Sequence, residues 1–566
     1  MSRRRGPAFR SVRLRASGTT KRSAREEGQQ MSAGRHVVVV GGGLAGITAA
    51  IALRETGASV TLLEARPRLG GATCSFTRDG LVIDNGQHVF LRCCSAYRGL
   101  LARLGMTGAV SLQDRFDVTV LGPGGRARLR RTGLPGPLHM GQALAGYSFL
   151  SLAERLRVAR AALAMMRLDP AAPGLDSERL GDWLAARGQG ERARRVLWDL
   201  FTVSALNVAG DDASMALAAT VVQTALLGAR DAADLGVPAI PLGDLHGQAG
   251  ALLLKRLGAD VRLNAKVAAV QAVAGGGFLV RLTDRAAGAG AASMVNGDSP
   301  ATPLPPNGNH VAAHLPPPGG RAGGREIHAG ALTQDGGGPG GPQNHAGAFP
   351  PGGGAGGVAI HADGVVLAVP PDAAARLAPA AAAAGASPGP DRWLELGASP
   401  IVNVHVIYDR RVTRLPFAAA VDSPVQWVFD RTRPSGLRAG QYLAVSLSAA
   451  DDLVDVPAAR LRERFVPALE DLFPAARDAR ITDFFVTRER RATFRQVPGC
   501  AGMRPGAATA LPGLVLAGAW TDTGWPDTME GAVRSGLNAA RELRRGLAAA
   551  PPPSGRRADL VAGATA

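Results

Sequence analysis

The sequence predicts an α/β protein in which a Rossmann-type dinucleotide-binding domain is joined to a discontinuous, mixed sheet-plus-helix second domain. Three observations predict it. At 566 residues the chain exceeds the roughly 250 to 300 residues at which single cores stop growing. HVVVV at 36–40 is a β-branched run ending in glycine, as in buried parallel strands. The segment Gly41–Gly46 fits GxGxxG, follows that strand and opens a helix.

The first elements form a βαβ unit. Ala45–Glu55 carries apolar residues at helical spacing, Gly57 breaks it, and SVTLL at 59–63 reads as a second strand ending at Glu64. Gly41 permits the tight turn, Gly43 lets backbone approach a pyrophosphate, and Gly46 lets helix and strand pack closely. Leu44 and Ala45 lie at the N-terminus of the helix, whose amides would face the anion, and Glu64 would accept ribose hydroxyls. Residues 140–230 are helix-like, and the uncharged run 213–229 suits a buried helix better than a membrane span. Strands return at 396–450, as in PIVNVHVIY and SPVQWVFD. Within 285–357, 31 of 73 residues are Gly or Pro, which predicts a disordered insert; its flanks read as strands, which puts it at a hairpin tip.

The net charge of +18 suggests phosphate recognition less than its size implies. Residues 1–35 hold ten Lys and Arg against two Glu, so +10 is left on the other 531 residues, and only Lys21, Lys255 and Lys266 are lysines. Nucleic acid is not an expected partner. Cys74, Cys93, Cys94 and Cys500 form no CxxC pair, which favours a reducing, cytoplasmic setting. Residues 1–34 read as a disordered basic tail, or as an artefact of a start upstream of Met31, and 549–566 as a second loose tail. Hydrophobic residues at 46% leave ample material for a core, and no Ser/His/Asp order, metal triad or Walker loop appears.

After Glu64 the string ARPRLGGA resembles the flavin amine oxidase and phytoene desaturase superfamily. The resemblance implies FAD, with Glu64, Ala65, Arg66, Arg68, Gly70 and Gly71 lying against it. LVLAGAWTDTGWPDTMEGAVRSG resembles the superfamily's second FAD motif. There Gly518 and Asp522 would serve the pyrophosphate and ribityl region, and Thr528, Met529, Glu530 and Ala532 would begin a helix whose amides face the flavin's pyrimidine edge. Val267, in GADVRLNAKVAAV, matches the valine whose backbone meets adenine. The FAD-binding domain is then expected over 35–105, 238–284, 358–385 and 505–548, and the substrate domain over 106–237 and 386–504.

Three further strings resemble the hydroxysqualene dehydroxylase branch, the squalene-associated FAD-dependent desaturases of hopanoid pathways: DNGQHVFLRCCSAY at 84–97, VSALNVAGDDASM at 203–215 and SPVQWVFDR at 423–431. Arg92 departs from the branch pattern, which has a small residue there. The branch implies reductive removal of a hydroxyl from a polyprenoid, an electron donor that reduces FAD, and upstream squalene-pathway enzymes as suppliers. The alternatives are a carotenoid-type desaturase or amine oxidase, and a non-catalytic prenyl-lipid binding protein.

Candidates outside the cofactor motifs have ordinary readings beside the chemical ones. His88 would face the flavin and donate a hydrogen bond to a substrate hydroxyl, or be a satisfied structural group. Asp430 would help hydroxide leave, or pair with adjacent Arg431. His405 and Tyr408 would line a pocket, or His405 would simply be buried; vicinal Cys93 and Cys94 default to packing. The amphipathic stretch from Met140 to Met166, with Phe149 and Leu150 among Arg155, Arg157 and Arg160, would lie in an anionic membrane interface as a peripheral contact, or pack on its own domain.

Overall fold

Val37–Val40 are buried to 4% exposure or less, which places the HVVVV run at the centre of a five-stranded parallel sheet. The computed structural model describes residues 34–283, 358–384 and 388–549. Apart from Gly34 and Ala549, the expected tails and the 285–357 insert lie outside the described residues. From one edge of the sheet to the other the strands are Asp260–Arg262, Ser59–Leu63, His36–Val40, Gly364–Leu367 and Leu514–Leu516. Numbered along the chain, that order is 3-2-1-4-5, the order of a dinucleotide-binding sheet. It reverses between His36–Val40 and Gly364–Leu367, and the crevice beyond the strand ends there is where such sheets take ligands. The predicted helix forms as Leu44–Glu55 and packs against the long C-terminal helix Met529–Ala549.

The strands flanking the insert are antiparallel neighbours: Phe278–Leu282 pairs with Ala359–Ala362, with Phe278 opposite Ala362, and Val267–Ala272 lies on its other side. Loop length added at that tip carries only a slowly growing entropic penalty.

A second, seven-stranded sheet runs in the order Ile481–Thr493, Ser399–Tyr408, Gln441–Leu447, Trp427–Asp430, Phe417–Ala420, Asp117–Gly122, Gly125–Arg130. Every pairing is antiparallel except Phe417–Ala420 with Asp117–Gly122. SPVQWVFD contributes only Trp427–Asp430 as strand, because Ser423 Oγ accepts from Val425 N and folds the preceding residues into a turn. A small sheet of Phe90–Leu91, Leu235–Pro238 and Val110–Leu112 joins segments assigned to different domains from sequence. Arg92 lies beside it and, with Arg131, clamps the fully buried Asp234 at 2.9 and 2.6 Å. The charge that departs from the branch pattern is thereby neutralised.

The helix-like stretch 140–230 is not continuous. It resolves into short helices, among them Leu152–Met165, Leu180–Ala185, Asp199–Leu206 and Met215–Val222, with π-helical turns at 194–198 and 223–227. Leu152–Met165 begins with a capping box in which Ser151 and Glu154 satisfy each other's amides. Phe149 and Leu150, expected in the membrane-facing set, are instead core residues at 6% and 2% exposure. No helix among the described residues is long and apolar enough to cross a membrane.

Candidate cofactor and active site

The GxGxxG turn is shaped by contacts that only glycine allows at two of its positions. Gly41 has φ +103°, and a Cβ there would stand 2.2 Å from the Ala368 carbonyl oxygen, across the switch in strand order. A Cβ on Gly46 would stand 1.9 Å from the Gly41 carbonyl oxygen. Gly43 differs, with an extended backbone at φ −74° and only the Gly71 Cα within 4 Å of a built Cβ, at 3.9 Å. The fold therefore tolerates a side chain at Gly43, and the requirement for glycine there lies in what approaches the loop.

The turn Arg68–Gly71 lies directly over this loop. Gly70 N donates to the Gly42 carbonyl at 2.8 Å, and a Cβ on Gly71 would reach the Gly43 Cα at 3.0 Å. Glu64, 9% exposed, accepts from Gly42 N at 2.7 Å and Arg66 N at 2.8 Å. An ionised carboxylate has about four lone-pair sites, so two remain for hydroxyls. Ala65 and the Arg66 side chain are exposed, and Arg68 reaches Cys74 Sγ at 3.4 Å. Ala265 N and Asn264 N donate to the Glu64 and Arg66 carbonyls, which brings the start of the Val267 strand to the same turn.

The C-terminal motif meets the first one at a helix crossing. A Cβ on Gly536 would stand 2.3 Å from the Ala45 carbonyl oxygen, so the two helix axes approach closely near their N-termini. Gly536 is seven residues into its helix, about 10 Å along the axis. The first helix's N-terminus therefore lies at the crossing and the second's about 10 Å from it along the second axis, and each is a positive dipole end suited to an anion. Thr528 caps the second helix by accepting from Gly531 N at 3.2 Å, and Met529 follows it half-buried. Ala532 donates its amide to Thr528 O. The Glu530 side chain turns away: 1% exposed, it accepts from Ala96 N, Tyr97 N and Arg534 Nε, leaving only its backbone for a cofactor. Gly518, at φ +141°, is tied by its amide to Ser535 Oγ, and exposed Asp522 folds over Gly524 N.

Arg504 holds this second loop and carries no sequence signal. Buried at 5% exposure, it donates to the carbonyls of Ala519, Trp520, Thr521 and Trp525 at 3.1, 3.3, 2.6 and 2.8 Å. Arg504→Met is expected to destabilise the protein by about 3–5 kcal/mol, because four acceptors lose one charged donor. A lowered urea midpoint with weakened FAD retention would show it.

His88 lies on the turn after the Leu81–Asp84 strand. Burial lowers its pKa, so the ring is neutral, and Nδ1 lies 3.2 Å from the Gly86 carbonyl. A carbonyl only accepts, so Nδ1 carries the proton and Nε2 is an acceptor. The expected role as donor to a substrate hydroxyl is corrected: the ring as placed accepts. The same turn docks on the large sheet, where Asn403 Nδ2 and Thr487 Oγ1 both donate to the Asn85 carbonyl at 3.4 Å. Beside it, Gln87 Nε2 and Asn403 Oδ1 are buried without a hydrogen-bond partner, the pattern expected where a polar ligand completes a site.

Asp430 is not placed for acid chemistry. One oxygen accepts from Thr432 N and Oγ1 at 3.0 and 2.5 Å, the other from Gln441 Nε2 at 2.8 Å, which makes it the cap of its own turn. Nor does it pair with Arg431, whose guanidinium crosses to buried Asp84. His405 is stacked on Phe485 and bonded to Tyr442 OH at 2.7 Å and Thr487 Oγ1 at 3.0 Å, a satisfied core group whose pKa burial lowers to about 3.

Asp527 is the acid that sequence reasoning passed over. It immediately precedes Thr528, accepts from Phe494 N at 2.9 Å, and burial pushes its carboxyl up to about 6. Its own amide donates to Gln496 Oε1 at 3.0 Å, while Gln496 Nε2 donates to Leu206 O at 2.7 Å. The acid is thereby tied to the helix Asp199–Leu206. Between that helix and Trp427 opens a cavity of about 600 Å³ with Leu200, Val203 and Val425 in its walls.

The glycine cradle, the converging helix ends, Glu64 and the partnerless amides fit a flavin dinucleotide, and comparison with known proteins agrees. The description "Flavin containing amine oxidoreductase" matches residues 44–302 and 353–544. A hydroxysqualene dehydroxylase of Rhodopseudomonas palustris is 28% identical over 514 residues, 89% of this chain and 97% of its own. One of Sinorhizobium fredii is 37% identical over 180 residues, 31% of this chain and 38% of its own. Among solved structures, cyclohexylamine oxidase from Brevibacterium oxydans superposes with a TM-score of 0.60 at 17% identity, covering 91% of this chain and 99% of that one. Putrescine oxidase gives 0.58 at 19% identity, covering 89% and 98%. The chain is a member of the flavin-containing amine oxidoreductase family, and FAD is its cofactor.

Proposed function

We propose that this protein is an FAD-dependent oxidoreductase that removes the hydroxyl of hydroxysqualene reductively to give squalene. The near full-length match to the R. palustris protein of that name carries the reading. Reduced FAD supplies the hydride. The glycine turns, Glu64, the Val267 strand and the two helix N-termini hold the dinucleotide. Neutral His88 accepts a hydrogen bond from the substrate hydroxyl at Nε2 and orients it. Asp527, protonated below about pH 6, gives its proton to the departing oxygen, so that the C–O bond breaks as a C–H bond forms and the oxygen leaves as water. The cavity beside Leu200, Val203 and Trp427 takes part of the hydrocarbon. An external electron donor returns FAD to its reduced form, and the substrate, almost insoluble in water, is collected at a membrane surface.

A desaturase running the opposite redox sense is the competing reading. It is favoured by a 31% identical stretch, 18% of this chain, in a zeta-carotene desaturase of Synechocystis. Anaerobic mixing of the reduced protein with hydroxysqualene distinguishes them. Flavin reoxidation with one squalene formed per flavin is expected. Flavin that stays reduced with hydroxysqualene, together with oxidised protein that a polyene still containing saturated C–C bonds bleaches, would establish the desaturase.

A further inference from the structure

The surface of the helical region carries a feature that the buried site does not use. Among the described residues nine large hydrophobic side chains are exposed, and six of them, Leu134, Leu138, Leu152, Leu156, Leu163 and Met166, lie between 134 and 166. On the helix Leu152–Met165 and its cap, successive residues turn by about 100°. Leu152, Leu156, Leu163 and Met166 therefore fall in one stripe about 80° wide, with Ala159 between them. The opposite face, Val158, Ala161 and Met165, is buried in the core. This helix thus has two apolar faces, and the protein covers only one.

Charge identifies what would cover the other. From 152 to 167 there are four arginines and one glutamate, Glu154, which is held in the capping box. Arg155 is pinned to the Leu150 carbonyl at 2.9 Å, but Arg160 and Arg167 border the stripe, are exposed, and pair with no carboxylate among the described residues. A second copy docked through the same stripe by a two-fold axis would set these arginines against their equivalents. A partner that is apolar within and anionic at its surface satisfies both features.

We propose that the stripe Leu152–Leu156–Leu163–Met166, bordered by Arg160 and Arg167, is the face on which this protein lies in an anionic lipid bilayer. It deepens the membrane part of the reading above by assigning the surface. It also replaces Phe149 and Leu150, which are core. The leucines enter the acyl boundary while the guanidinium groups remain at headgroup phosphates. The covered helix lies in the same helical region as Asp199–Leu206, which walls the cavity beside Trp427.

Flotation of the full-length, FAD-loaded protein tests the assignment, using vesicles of phosphatidylglycerol with phosphatidylcholine against phosphatidylcholine alone. Wild type is expected to float with the anionic vesicles. L152S/L156S/L163S is expected to bind at least about tenfold more weakly, as is R160E/R167E. Flavin absorbance and thermal midpoint should be unchanged because all five positions are exposed. L252S/L394S, which removes two exposed leucines elsewhere, should float like wild type. Undiminished flotation of the leucine triple variant, or no flotation of wild type, overturns the proposal. So does a wild-type dimer that the triple substitution converts to monomer, since a second copy would then cover the stripe. Failure to form squalene leaves the flotation result intact, so the two readings fall separately.

Discussion

Gly43→Val is expected to give a folded, colourless protein. The backbone at Gly43 is extended, and a built Cβ finds only the Gly71 Cα at 3.9 Å, so the protein fold has room for a first side-chain atom. Pyrophosphate must approach the loop at that position, and two methyl groups would stand in its path. Gly41→Ala and Gly46→Ala should behave differently. Their Cβ atoms would meet backbone carbonyls at 2.2 and 1.9 Å, so these variants lose stability along with flavin. Flavin absorbance of purified protein together with circular dichroism melting separates the cases. A yellow Gly43→Val protein with full occupancy would contradict the placement of the dinucleotide.

Asp527→Asn is expected to retain FAD and lower turnover of hydroxysqualene by about 10²–10⁴-fold, the usual range for removing a general acid. The wild-type rate should fall as pH rises through about 6, because the active form is the protonated carboxyl. The gap between wild type and variant should therefore narrow at high pH. Stability gives an independent sign. The folded pKa lies above the unfolded one near 3.9, so the folded state holds a proton that the unfolded state has released. Above pH 6 this lowers stability by up to about 3 kcal/mol, and the penalty disappears below about pH 4. Asparagine avoids it and can still accept from Phe494 N. The variant should consequently unfold at a higher temperature than wild type at pH 8 and show no advantage at pH 4. A variant that keeps wild-type turnover would remove Asp527 from the chemistry.

The contrast between these residues shows what could be read in one dimension. HVVVV, the glycine turn and Glu64 were legible because each is dictated by local backbone requirements: a β-branched run for a buried strand, glycine at a positive φ, a carboxylate at a strand end. The C-terminal motif was legible for the same reason, as a strand, a glycine turn and a capped helix within about two dozen residues. The order of the strands, with Gly364–Leu367 and Leu514–Leu516 completing the sheet beside His36–Val40, came from the structure.

Side-chain roles were legible only where the partner is near in sequence. Asp430 looked like an acid or an ion-pair partner, but Gln441, on the neighbouring strand, took one of its oxygens. Glu530 turned from the cofactor to amides 433 and 434 residues away. Which leucines face outward was decided by packing, since the helix pattern offers two apolar faces and only contact with the core shows which is covered. By itself the sequence determined the dinucleotide fold and the position of its glycine loops, because these depend on backbone sterics within a few residues. The tertiary structure alone decided which carboxyls have raised pKa values, which arginine holds the second loop and which surface is left apolar, because burial and hydrogen-bond partners are set by segments brought together from across the chain.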